Sequence, residues 1–165
     1  YDQGIINLTK VNDSFDWQPE RIAYYSSLCY GVCPAMYLEI DSAGSFYFIG
    51  GSFTEKIGNY SGTISPDIFN RVVSDINCIQ LNSLNQYYEA SWTDYQTCGV
   101  LIQTTDTIYK SSAYGVDREP AELSILLYTL MEVYKIVELT EDAIVQQNFQ
   151  HGNFQNELYL NPNKR

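Results

Sequence analysis

The feature that most constrains this chain is a pattern that occurs twice: a strand pair followed by a helix, near 35–78 and near 97–137. In the first unit, Ala35 to Asp41 alternates, with Met36, Leu38 and Ile40 on one face and Tyr37 and Glu39 on the other. Period two marks a half-buried strand. Asp41-Ser42-Ala43-Gly44 supplies a hairpin turn, Ser45 to Ile49 the return strand, and Phe53 to Gly62 a third strand in which Thr54 reads as solvated. Ser65-Pro66-Asp67 then opens a helix, since Ser caps, Pro suits the first turn and Asp complements the dipole. Phe69, Val72, Val73 and Ile76 recur at helical spacing up to about Cys78. The second unit repeats the order: a strand over Thr97–Thr104, a turn at Thr105-Asp106, a strand over Thr107–Ala113, and a helix opened by Asp117-Arg118-Glu119-Pro120. Leu123, Leu126, Leu127, Leu130, Tyr134 and Val137 form its apolar stripe. Two such units predict an α+β domain of two layers, an antiparallel sheet with two helices on one face.

Arg21 to Ser26 reads as a further strand, and it runs straight into Cys29-Tyr30-Gly31-Val32-Cys33-Pro34. Gly31 permits a tight turn, and Pro34 pushes Cys33 towards extended geometry before the next strand. A Cys29–Cys33 bond would close a very short loop, which predicts a modest stability gain. The turn has two readings. One is a structural staple. The other is a thiol-disulfide site, for which the usual signature is C-x-x-C, whereas here the spacing is C-x-x-x-C with no Lys, Arg or His inside it.

The run Cys29 to Tyr37 resembles the opening motif of an uncharacterised bacterial family, C-[FY]-G-x-C-P-x-[FY], which leads into a strand, then Asp-x-x-Gly, an aromatic strand and a Gly. Here those are Asp41 to Gly44, Phe46-Tyr47-Phe48-Ile49 and Gly50, with Thr93-Asp94 matching a mid-chain Thr-Asp pair. The resemblance runs from about Arg21 to Glu138. It departs at the second turn, where Thr105-Asp106-Thr107 replaces Asp-Gly or Asn-Gly. It implies a secreted or envelope-anchored protein, in the manner of a periplasmic protein or lipoprotein, and brings no activity with it. An exported chain with four cysteines suggests one or two disulfides. Three full pairings exist, of which Cys29–Cys33 with Cys78–Cys98 is the most economical.

The boundaries follow from the pattern. Residues 1–20 form an N-terminal arm with Phe15 and Trp17 as anchors, 21–138 the domain, and 139–165 a polar tail rich in Asn and Gln, with a short helix start at Thr140. A formal charge of −11 repels phosphate backbones, so nucleic acid is excluded as a partner. No apolar run reaches 18 residues, so no transmembrane segment is expected. The first residue is Tyr1, and the expectation is that an export signal has been removed.

The search for catalytic chemistry returns little. His151 is the one histidine and lies in the polar tail, and no nucleophile elbow or phosphate-cradling glycine motif is present. Asp94, Asp106, Asp117, Glu119 and Glu122 match no calcium-loop spacing and read as a solvated acidic rim. No cofactor and no metal site are expected. Aromatic residues make up 15% of the chain, and 15 of them are tyrosines, which suit half-buried sheets and binding faces. Long connections in compact domains are often functional, and Gln80 to Gln96 is rich in rings. The expected function is therefore a non-enzymatic binding module for a protein or glycan, using Tyr37, Tyr47, Tyr88, Trp92 and Tyr95 on the uncovered sheet face and the aromatic connection. The second class is a thiol-disulfide protein using Cys29 and Cys33.

Overall fold

A computed structural model describes residues 14–142. The expected strand at Gly4 to Leu8, and His151, lie outside these residues. Eight strands, β1 (Arg21–Ser26), β2 (Met36–Asp41), β3 (Ser45–Gly50), β4 (Gly58–Thr63), β5 (Tyr87–Glu89), β6 (Thr97–Gln103), β7 (Ile108–Tyr114) and β8 (Leu139–Glu141), form one sheet. Its order is β5-β7-β6-β1-β2-β3-β4-β8. Two helices, α1 (Pro66–Ile76) and α2 (Ala121–Val133), follow β4 and β7. All strand pairs are antiparallel except β5 with β7. The domain is thus α+β.

The first described strand occupies the middle of the sheet. β1 pairs with β2 from Arg21↔Asp41 to Ser26↔Met36, and on its other side with β6 from Arg21↔Gln103 to Ser26↔Cys98. It therefore joins the two strand-and-helix units. Alternation decides which side chains enter the core. Ile22, Tyr24, Met36, Leu38, Ile40, Phe46 and Phe48 share one buried cluster with Val72 and Ile76 of α1 and Leu123, Leu126, Leu127 and Leu130 of α2. Thr129 donates to Asp75 at 2.8 Å and ties the helices together.

Local signals act as expected at most turns. Gly44 sits at φ 90°, its N–H bonds to the Asp41 carbonyl at 2.9 Å, and the Asp41 carboxylate accepts from Ser45 N–H at 2.8 Å. Ser65 caps α1 by accepting from Ile68 N–H. The start of α2 differs. Pro120 makes no side-chain cap bond, and beside it Glu119 accepts from Ser124 Oγ at 2.6 Å and from Arg118 N–H at 3.1 Å, tying the approach segment to the first turn of the helix. Glu119 is accordingly buried and stands apart from the expected acidic rim. A carboxylate at a helix N-terminus also complements the dipole.

Trp17 docks under the end of α1, with its N–H on Asn77 Oδ1 at 2.7 Å and its indole N–H on the Ile79 carbonyl at 2.9 Å. At the other boundary, Leu139–Glu141 pairs with β4 as a strand where a helix start was expected at Thr140. Thr140 is β-branched and suits a strand, and the open edge of β4 beside it supplies the pairing.

Candidate functional site

Strand directions place three connections at one end of the sheet: 27–35 between β1 and β2, 51–57 between β3 and β4, and 90–96 between β5 and β6. They are fastened to one another. Tyr30 N–H bonds to the Asp94 carbonyl at 3.1 Å, Ala35 N–H to Ser52 at 3.0 Å, and Ser27 N–H to Thr97 at 2.9 Å. Gln96 bridges both sides of the first connection, its amide donating to the carbonyls of Ser27 at 2.8 Å and Pro34 at 2.7 Å.

These three connections carry Leu28, Tyr30, Val32, Phe53, Ile57, Trp92 and Tyr95. They are seven of the twelve large apolar side chains exposed among the described residues. Tyr30 is 90% and Val32 82% exposed, so the tip of the first connection stands in solvent. Trp92 and Tyr95 lie against each other with ring centroids 5.7 Å apart. Phe53 at φ 65° and Asp94 at φ 70° hold backbone conformations that cost non-glycine residues of order 1–3 kcal/mol each. Such conformations cluster where a surface must keep a set shape.

Cys29 and Cys33 are joined by a disulfide across the tip, with Cα atoms 5.6 Å apart. A five-residue ring constrains the unfolded chain little, worth about 2 kcal/mol by loop closure. Cys78 and Cys98 are not bonded, which corrects the economical pairing. The reason is geometric. Cys78 is exposed beyond α1, with its thiol turned back on the Ser74 carbonyl at 3.4 Å, whereas Cys98 is buried inside β6.

Cys98 links the core to the tip. Tyr24 O–H points at its sulfur at 3.5 Å, and the thiol in turn points at Gln96 Oε1 at 3.5 Å. Burial pushes the Cys98 thiol up from 9.0 to about 11, helped by the nearby Glu119 charge and opposed by the Tyr24 hydrogen bond. Between pH 9 and 11 the unfolded chain has lost this proton and the native chain keeps it. The unfolded state then binds fewer protons, so stability falls as pH rises. At 1.36 kcal/mol for each pH unit, roughly 2–3 kcal/mol is lost across that window. In urea titrations at pH 8.5 and pH 11, Cys98→Ala should remove that part of the alkaline loss. An unchanged loss would show that Cys98 does not carry it.

The five expected binding residues do not form one surface. Tyr37 is buried on the second face of the sheet, with Ala23 and Tyr25 beside it and Ile49 and Leu101 packed against them. Its hydroxyl donates to Glu39, which is 1% exposed. Burial, then the Glu39 charge, raises the Tyr37 hydroxyl far above its usual range. Tyr37 thus offers no accessible ring. Tyr47 lines a shallow hollow of about 370 Å³ with Ser45, Ser61, Thr63 and Thr140. Tyr88 lies in β5 at the sheet edge, half-buried against the core. Only Trp92 and Tyr95 come together, and they do so beside the disulfide tip.

Leu28, Tyr30, Val32, Phe53, Ile57 and Gln96 were missed. A usable signal was present, since an apolar side chain on either side of Gly31 at a turn tip has nowhere to be buried. Among the described residues no group of three His, Cys, Asp or Glu side chains is placed to hold a metal ion, and no helix is long and apolar enough to cross a membrane.

Fold and site together define a small α+β domain whose apolar loops meet around a disulfide-closed tip. A family model, the domain of unknown function DUF6438, matches residues 20–134, and the chain belongs to that family. No curated protein matches the chain.

Proposed function

We propose that this domain is a non-enzymatic interaction module of the bacterial cell envelope, and that it meets a protein or glycan through the apolar pole formed by 27–35, 51–57 and 90–96. The carrying observation is that, among the described residues, seven of the twelve exposed large apolar side chains lie on these connections. Exposed apolar clusters rimmed by polar residues mark interaction sites. Aromatic anchors such as Tyr and Trp dominate interface energetics. The export part of the reading is supported by the resemblance of the Cys29–Tyr37 run and by the disulfide, which persists in oxidising compartments. In this reading the unit is two-layered and spans 21–138, with 1–20 as arm and 139–165 as tail.

The second reading, thiol-disulfide activity at Cys29 and Cys33, draws on the half-exposed position of that bond. It lacks a cation: Ser27 to Ala35 contains no charged residue to favour a thiolate.

The test is partner capture by chemical crosslinking in the native host, with a glycan array in parallel. Tyr30→Asp with Val32→Asp is compared with Ile108→Asp, which lies at the opposite end of β7. Loss of an interface anchor costs at least about 2 kcal/mol, or roughly thirtyfold in affinity. The double variant should lose binding by that much, and Ile108→Asp should bind as wild type. Equal binding by all three sinks the interaction reading, and disulfide exchange with a substrate thiol would put the second reading in its place.

A further inference from the structure

The short disulfide does a different job from a fold staple. Both flanks of the tip are already fastened without it. Ser26 Oγ donates to the Pro34 carbonyl at 2.6 Å, Gln96 bridges Ser27 and Pro34, and Ser27 and Ala35 are bonded to Thr97 and Ser52. Among the described residues, the backbone between Cys29 and Cys33 makes a single hydrogen bond, from Tyr30 N–H to the Asp94 carbonyl. Packing does not hold the tip either, because Tyr30 and Val32 are almost fully exposed. The covalent bond is therefore the main restraint on residues 29–33 and nearly irrelevant to the rest of the sheet.

We propose that Cys29–Cys33 is a redox-sensitive clamp on the interaction pole: a dithiol opens it, and the tip loosens while the domain stays folded. The regulatory meaning of the clamp rests on the interaction reading above, although the clamp itself does not. In the step, one thiolate of the dithiol attacks a sulfur of the pair and forms a mixed disulfide. Its second thiol then displaces the protein sulfur. Two electrons and two protons pass to Cys29 and Cys33, and the dithiol leaves as its own disulfide. With no charged residue in Ser27 to Ala35, the released thiols have no neighbour in that stretch to activate them. That suits a clamp better than a catalyst.

The experiment is ¹⁵N relaxation on the oxidised protein, on the same sample in dithiothreitol, and on Cys29→Ser/Cys33→Ser. Order parameters at Tyr30, Gly31 and Val32 should fall from about 0.8 to below about 0.6 in the last two samples, with β1, β2 and β6 unchanged. Reduced protein should also lose capture in the crosslinking assay. Three results overturn the clamp: a tip equally rigid after reduction, loss of dispersed signals throughout the domain, or a bond that dithiothreitol cannot open in the folded state. If the tip loosens but the Tyr30→Asp/Val32→Asp protein binds normally, the interaction reading fails and the clamp stands.

Discussion

Phe48→Ala should cost the domain about 3–5 kcal/mol, the range for deleting a fully buried aromatic ring. Phe48 has no exposed surface, stacks on Tyr134 with centroids 4.3 Å apart and planes 5° from parallel, and meets Tyr60 at 6.2 Å. The cavity would open between β3 and Tyr134, the residue just after α2, so the contacts with Tyr134 and Tyr60 are lost together. It would also loosen the pole, because the Tyr134 hydroxyl accepts from Glu55 N–H at 3.2 Å and so helps to hold 51–57. In a chain of this size each kcal/mol is worth about 2–4 °C, so thermal melting should show a drop of roughly 6–20 °C. A loss below about 1 kcal/mol would mean that the stacked pair is dispensable.

Gly50→Ala should be nearly as severe, although alanine normally suits a strand better than glycine. A Cβ at Gly50 would lie 1.7 Å from the Lys56 carbonyl oxygen and 2.8 Å from both Phe48 Cε1 and Thr54 Oγ1. The first of these is backbone and cannot rotate away. The Thr54 hydroxyl sits between the carbonyls of Gly51 at 2.7 Å and Lys56 at 2.9 Å, so the displaced segment would lose its internal tie as well. Overpacking typically costs about 1–3 kcal/mol, and a clash with backbone that cannot rotate away puts Gly50→Ala at the upper end of that range. Urea denaturation reads the global loss, and the Phe53 and Ile57 amide signals read whether the connection has moved. A wild-type midpoint would show that the close approach is not maintained in solution.

Where one face of an element is apolar, the residues spoke clearly. Met36, Leu38 and Ile40 alternate, Ser65-Pro66 announces α1, and Leu123 to Leu130 carries a helical stripe. These signals are local, and local geometry decides them. What stayed hidden depended on partners distant in sequence. Glu39 and Tyr37 read as a wet face because a carboxylate and a hydroxyl are usually solvated, yet they are buried and bonded to each other. Thr54 read as solvated for the same reason, and is buried because two carbonyls meet its hydroxyl. The strand Tyr87–Glu89 inside the aromatic connection is held by parallel pairing to β7, which no periodicity over three residues can reveal. The motif at Cys29–Pro34 falls within the proposed interaction pole. The exposed apolar residues between the cysteines and the bridging Gln96 are flagged by no motif.

The central position of β1 has a consequence for how the chain is made. On the ribosome β1 and β2 emerge together and pair at once, as neighbours in sequence do. The other edge of β1 waits for β6, whose Cys98 lies 74 residues after Tyr24. At 5–20 residues per second that gap is on the order of 4–15 s. For that time the strand destined for the middle of the sheet, with Ile22, Ala23, Tyr24 and Tyr25 in a row, is an open and sticky margin of a half-made domain. Nascent chains of this topology therefore have a timed need for shielding, one that ends when β6 has emerged and covered that edge.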